Sequence, residues 1–179
     1  MNSPRPTAII VTNIPAPYRI PLFNELYEQL RARNIDLKVI FAALTYPRRK
    51  WAVDLDACTF PYHVLNSPRI PTRNPESAVF TYAGLADRLP HPAASVVIVS
   101  GFSLATLRLC AQRVTRGRKY LIWSGAIKIP GREDSILRTA QRRLLVRFSS
   151  GGIAYGSRAR DYLQGLGMPP GAIHIGINT

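Results

Sequence analysis

SGGIAYGSRARDYLQGLGMPPGAIHI, residues 150–175, reads as a strand, a tight turn, a short helix and a second strand. GIAY (152–155) is a short apolar run bounded by glycines, as a buried strand is. Ser157 stands at the head of the helical stretch 157–166, where a hydroxyl can cap free backbone N–H groups. AIHI (172–175) then returns as a strand. Two strands joined through a helix lie parallel in one sheet, because a hairpin needs only a few linking residues.

The same unit recurs upstream. AIIVT (8–12) is a continuous apolar run, the kind buried on both faces of a parallel sheet. A helix follows over 20–33, with Leu22, Phe23, Leu26, Tyr27 and Leu30 on one face and Pro21 in its first turn. IDLKVIFAA (35–43), FPYHVLN (60–66), SVVIVS (95–100) and KYLIWS (119–124) read as further strands. Helices are predicted over 78–89, 104–116 and 136–148, the last with Ile136, Leu137, Ala140, Leu144 and Phe148 on one arc. Residues 45–59 and 67–77 read as loops, and KIPGREDS (128–135) as a loop ending in an Asp/Ser cap. There is no internal repeat. The expected fold is α/β and Rossmann-like: a parallel sheet with helices on both faces.

Composition narrows the function classes. The 179 residues hold 24 Lys and Arg against 10 Asp and Glu, a formal charge of +14. Such a charge favours anionic partners, and an Arg-rich composition also fits a GC-rich genome. The two cysteines, Cys58 and Cys110, make no disulfide framework, and Cys110 sits in an apolar helical pattern as a small hydrophobe. No signal peptide and no run of about 20 apolar residues appears, so a cytoplasmic protein is expected. His63, His91 and His174 have no Cys or carboxylate partners at ligand spacing, so no metal is expected. Nucleotide-phosphate loops, nucleophile elbows and paired carboxylates are all missing, and no cofactor is expected.

In open parallel sheets, ligands gather beyond the carboxyl ends of the strands. That rule selects four loops. The first holds Asn13, Pro15, Ala16, Tyr18 and Arg19, where Arg19 at a helix start can meet an anion or can be solvated. The second, Ser100–Gly101–Phe102, has a glycine that admits a ligand closely or makes a plain turn. The third, Trp123–Ser124–Gly125, groups a ring, a hydroxyl and a glycine as a sugar site does, although Trp123 equally suits a core. The fourth is Tyr155–Gly156–Ser157–Arg158, with Ser157 as a cap or Arg158 facing a ligand.

Taken together, TNIPAPYRIPLFNEL, VVIVSGFSLATL, YLIWSGAI and the last 35 residues resemble the N-terminal half of family-4 type retaining glycosyltransferases of GT-B architecture. The resemblance runs from Ala8 to Thr179. It implies an acceptor-binding domain that faces a separate C-terminal domain carrying the nucleotide-sugar donor, with Asn178–Thr179 opening the linker between them. The chain then reads as half an enzyme, cut at a boundary or split, and inactive alone. The resemblance also implies a glycan or lipid-linked acceptor and work on cell-envelope polysaccharide. It assigns the four loops above to the cleft, with 13–19 near the transferred sugar. Some relatives carry His or Asp where this chain has Ser100–Gly101–Phe102, so the catalytic residues stay unassigned. Ala126 stands where relatives often have an acid. The basic charge, with Arg138, Arg142, Arg143 and Arg147 on one helix, fits peripheral docking on an anionic membrane from the inner face or plain solvated helix surface.

Two other classes compete. A non-catalytic Rossmann-like module could bind a phosphorylated sugar or nucleotide without turnover. Nucleic-acid binding rests on basicity alone and has no motif, so no nucleic acid is expected as a partner.

Overall fold

The computed structural model describes residues 5–45, 53–72, 79–129 and 135–176. Within them the elements run β1 (Thr7–Thr12), α1 (Ile20–Arg31), β2 (Asp36–Phe41), β3 (Tyr62–Val64), β4 (Arg69–Ile70), β5 (Val79–Phe80), β6 (Ser95–Ser100), α2 (Leu104–Arg116), β7 (Lys119–Ser124), α3 (Ile136–Phe148), β8 (Gly152–Ala154), α4 (Ser157–Gly165) and β9 (Ile173–Ile175). Seven strands form the main sheet in the order β3-β2-β1-β6-β7-β8-β9. This is the Rossmann-like α/β sheet that the strand–helix alternation predicts. The chain divides into two compact units, Met1–Val97 and Ile98–Asn178.

In the first unit β1 pairs in parallel with β2 from Thr7↔Asp36 to Thr12↔Phe41, and β2 pairs with β3. Ile9, Val11, Val39, Ile40 and Phe41 are fully buried, which is why these runs carry no polar alternation. Helix α1 packs on β2, and its buried Phe23 meets the Phe60 ring edge-on at 5.6 Å. Residues 79–89 do not form the predicted helix. Val79–Phe80 is extended and pairs antiparallel with Arg69–Ile70. Tyr82 (φ 53°) and Gly84 (φ 74°) then take left-handed backbone, and only a short 3-10 turn, Ala86–Arg88, follows. Phe80, Tyr82 and Leu85 lie in the core of this turn-rich segment. Residues 46–52 and 73–78 of the predicted loops and helix lie outside the described residues.

His63 of β3 is pushed below the usual histidine value of 6.5 by burial, then by the cations Arg88 and Lys38. A neutral imidazole at physiological pH is the result. A ¹H–¹⁵N titration should show His63 protonating with a midpoint below 6.5.

In the second unit β7, β8 and β9 pair in parallel, with Ser124 opposite Ala154 and Ala154 opposite Ile175. Helix α2 starts where the Ser103 N–H donates to Thr106 Oγ1 (3.2 Å) and Thr106 Oγ1 donates to the Gly101 carbonyl (2.7 Å). It stops at Gly117 in left-handed conformation (φ 67°). Arg118 beyond it is buried, with Nε donating to Gln112 Oε1 at 2.6 Å.

Helix α3 keeps its predicted bounds, but its buried side differs. Leu145 and Val146 are buried, whereas Ile136 is 90% and Leu137 81% exposed and Leu144 is exposed as well. Apolar residues lie on more than one side of this helix, so periodicity alone could not pick the packed arc. The fully buried Tyr120 of β7 settles it, because its hydroxyl donates to the Leu145 carbonyl (2.6 Å) at the helix end. Burial, with Cys110 adding to it, pushes the Tyr120 phenol far above its ordinary value of 10. Tyr120→Phe removes this bond and leaves a helix-end carbonyl unserved, at a cost of about 1.5 kcal/mol; the shift of the urea midpoint measures it. Residues 130–134 of the predicted capped loop lie outside the described residues, while Ser135 does cap α3, accepting from the Arg138 N–H at 3.2 Å.

At α4 the capping residue is Gly156, in extended backbone, and Ser157 is the first helical residue with no side-chain cap bond. The hydroxyl expected to cap therefore sits one position too late. Residues 177–179, with the predicted linker start, lie outside the described residues.

Candidate functional site

The first unit builds the loop after β1 largely into its own structure. Asn13 Oδ1 accepts from the Tyr82 hydroxyl at 2.5 Å. Pro15 and Ala16 are buried, and the Arg19 N–H donates to the Ala16 carbonyl at 2.8 Å, tightening the turn. Arg19 itself is 9% exposed, with Nη1 donating to Thr12 Oγ1 at 3.0 Å. Tyr18 is the outward member of this group at 47% exposure, its ring centroid 5.8 Å from the Arg19 guanidinium carbon. The guanidinium thus anchors the loop, and the phenol ring is its exposed member.

In the second unit the remaining three loops meet at the carboxyl ends of neighbouring strands. Gly101, at φ 66°, donates its N–H to the Trp123 carbonyl at 2.8 Å. Trp123 is buried, and its ring stands edge-on to Tyr155 at 5.9 Å. Ser124 is buried too, with Oγ accepting from the Ala126 N–H at 3.0 Å, so the hydroxyl shapes its own turn. The Tyr155 N–H donates to the Ser124 carbonyl at 3.1 Å. Gly125 is there because its neighbour is a ring: a Cβ would lie 2.5 Å from Tyr155 Cδ2. Ser157 and Arg158 are exposed at the head of α4, beyond Gly156.

Beside this cluster lies a cavity of about 1050 Å³ lined by the segment after β7 together with α3 and α4. Of the residues expected from sequence, it includes Gly125 and Arg158. It adds Lys128, Arg138, Arg142 and Tyr162. The Arg138/Arg142 pair was visible as an i, i+4 spacing on one helix. Its convergence with Lys128 and Arg158 was not, because the sheet register brings those elements together. Arg142 is packed against two rings. Its guanidinium lies 5.2 Å from the Phe102 ring centroid and 5.6 Å from that of Tyr162, and it donates to the Tyr162 hydroxyl. Phe102 is thereby tied to this pocket through Arg142.

The pocket is cationic. Asp161 is the acid among its described lining residues, and its Oδ1 accepts from Arg160 Nε and Nη2, both at 3.1 Å. The setting strengthens the sign: thirteen of the 24 Lys and Arg but only three of the ten Asp and Glu fall within 98–178. No group of three or more His, Cys, Asp or Glu that could hold a metal occurs among the described residues. No described helix is long and apolar enough to cross a membrane. The charge of the lining suits it to an anionic ligand.

No family model matches the sequence. No curated protein matches it either. Solved structures do. The chain is similar to Anabaena Alr3699/HepE in complex with UDP, with TM-score 0.54 and 11% identity over 97% of this chain and 44% of that one. The same protein with UDP and glucose gives TM-score 0.56 and 14% identity over 96% and 44%. The apo form of the lipopolysaccharide outer core galactosyltransferase WaaB gives 0.53 and 11% over 93% and 44%. The chain therefore spans less than half the length of each. At these identities the likeness establishes the architecture: this is a Rossmann-like α/β fold of the kind that forms one half of GT-B glycosyltransferases.

Proposed function

We propose that this chain is the acceptor-side domain of a nucleotide-sugar-dependent glycosyltransferase. The observation that carries the reading is the match of nearly the whole chain to under half of proteins solved with UDP and glucose or described as a galactosyltransferase. A second domain, on the same polypeptide or a partner, would hold the donor. This chain would hold the acceptor and present its hydroxyl to the donor's anomeric carbon, with retention of configuration. Its contribution is then mainly positioning, since fixing two reactants in a near-attack geometry removes much of a barrier without any acid or base. That division of labour suits a domain whose strand-end residues, Ser100–Gly101–Phe102, carry no ionisable side chain.

The acceptor is a glycan or lipid-linked glycan. Helix α3 supports peripheral docking on the inner face of an anionic membrane, because exposed Ile136, Leu137 and Leu144 share the helix with Arg138, Arg142, Arg143 and Arg147. Apolar side chains beside cations on one short helix favour the interface between lipid headgroups and acyl chains.

The test is an assay with UDP-glucose and UDP-galactose against an extract of lipid-linked glycans. The chain joined to its donor-binding half should release UDP and give a product whose anomeric configuration, by NMR, matches the donor's. The 179-residue chain alone should release none. Turnover by the chain alone, or inversion in the product, would sink the reading.

A further inference from the structure

We infer that the cavity between the segment after β7, α3 and α4 binds a phosphate or diphosphate ester, the anionic group of the acceptor. The inference rests on the acceptor-side reading and adds the chemical class of ligand. Four cations from three separate elements, Lys128, Arg138, Arg142 and Arg158, line one pocket whose acid, among the described residues, is Asp161, and that carboxylate already accepts from Arg160. A polyanion in this volume is attracted by all four at once. On a solvated helix face the arginines would point to water separately. Here they converge on a common volume.

Arg142 shows what kind of anion fits. Phe102 and Tyr162 hold its guanidinium through contacts with their rings, at 5.2 and 5.6 Å. These ring contacts and the hydrogen bond to the Tyr162 hydroxyl orient the guanidinium, whose planar fork of N–H donors matches the paired oxygens of a phosphate. A fork already held in place loses less freedom on binding than a loose one. The volume, about 1050 Å³, is at the upper end for small-molecule sites. It therefore has room for a sugar attached to the phosphate. Ile127, Ile129 and Leu166 also line the cavity, and the first two are exposed, so the rim has apolar surface as well as charge.

Phosphate of this kind has two sources, a soluble sugar phosphate or the diphosphate of a lipid-linked glycan. The experiment separates them. Calorimetric titration of the chain with inorganic pyrophosphate should show saturable 1:1 binding. Arg158→Gln and Arg142→Gln should each weaken it at least tenfold, while Arg113→Gln, on α2 and outside the pocket lining, leaves it unchanged. Arg158 is exposed, so its variant keeps the fold, and a thermal melt confirms it. Displacement of pyrophosphate by glucose 1-phosphate assigns a soluble source. Displacement only by phosphatidylcholine vesicles carrying polyprenyl diphosphate, and not by plain vesicles, assigns the lipid. Absence of saturable binding, or equal weakening by all three substitutions, overturns the site. The readout needs neither donor nor turnover. Transfer activity without pyrophosphate binding therefore defeats the pocket alone, and pyrophosphate binding without transfer defeats the transferase reading alone.

Discussion

Gly151→Ala lowers the stability of the chain by about 3–4 kcal/mol, read as a fall in the urea midpoint. Gly151 is buried between α3 and β8, with φ at 148°, in a region that side-chain-bearing residues rarely enter. Holding a non-glycine residue there costs on the order of 1–3 kcal/mol. The added carbon also meets matter that cannot step aside: an ideal Cβ lies 2.6 Å from the Ala172 carbonyl oxygen. Overpacking adds roughly 1–3 kcal/mol. The backbone is pinned as well, since the Gly151 carbonyl accepts from the Ile122 N–H at 3.1 Å. Gly165→Ala is the matched control. Nothing lies within 4 Å of its Cβ, and it closes helix α4, so the substitution should raise stability by up to about 1 kcal/mol. If the two substitutions behave alike, local backbone and space do not explain Gly151.

The contrast between those glycines also marks what the sequence could tell. GGIAYGSRARDYLQGLG shows where a strand ends and a helix begins, because apolar runs and periodicity are local properties. The buried strands β1, β2, β6 and β7 are legible for the same reason: sheet faces covered on both sides leave no polar alternation to confuse the pattern. The helix expected over 78–89 fails because the left-handed backbone at Tyr82 and Gly84, with Phe80, Tyr82 and Leu85 buried, follows from packing that no local pattern records. Helix α3 shows the complementary error. Its bounds were visible, but its buried arc depends on a tyrosine in another element.

The candidate site divides the same way. Strand-end glycines and aromatics stood out because the fold class says where ligands gather. Their actual duties did not. Ser124 Oγ and the Arg19 guanidinium both turn inward to serve the fold, and no composition or spacing rule distinguishes a hydroxyl that closes a turn from one that meets a sugar. The cationic pocket needed three elements separated by up to about 30 residues to converge, which is a property of sheet register.

Gly125→Ala is the second large effect, and it joins fold to site. A Cβ here would lie 2.5 Å from Tyr155 Cδ2 and 2.9 Å from Cε2, against the body of a ring packed edge-on to Trp123. That ring cannot yield without leaving the tryptophan, so the substitution should cost about 2–3 kcal/mol and shift Trp fluorescence to the red. The diagnosis is pairwise and can be isolated. Tyr155→Ala removes the obstacle at its own cost, and within that background Gly125→Ala should cost less than about 0.5 kcal/mol, leaving a coupling of roughly 2 kcal/mol between the two positions. Equal costs in the two backgrounds would show that the ring is not what excludes a side chain. The functional consequence follows from position, because Gly125 also lines the cationic cavity. Gly125→Ala should therefore weaken pyrophosphate binding while leaving all four cations in the sequence. That result would show that the pocket depends on how β7 and β8 are joined at their carboxyl ends and not on charge alone.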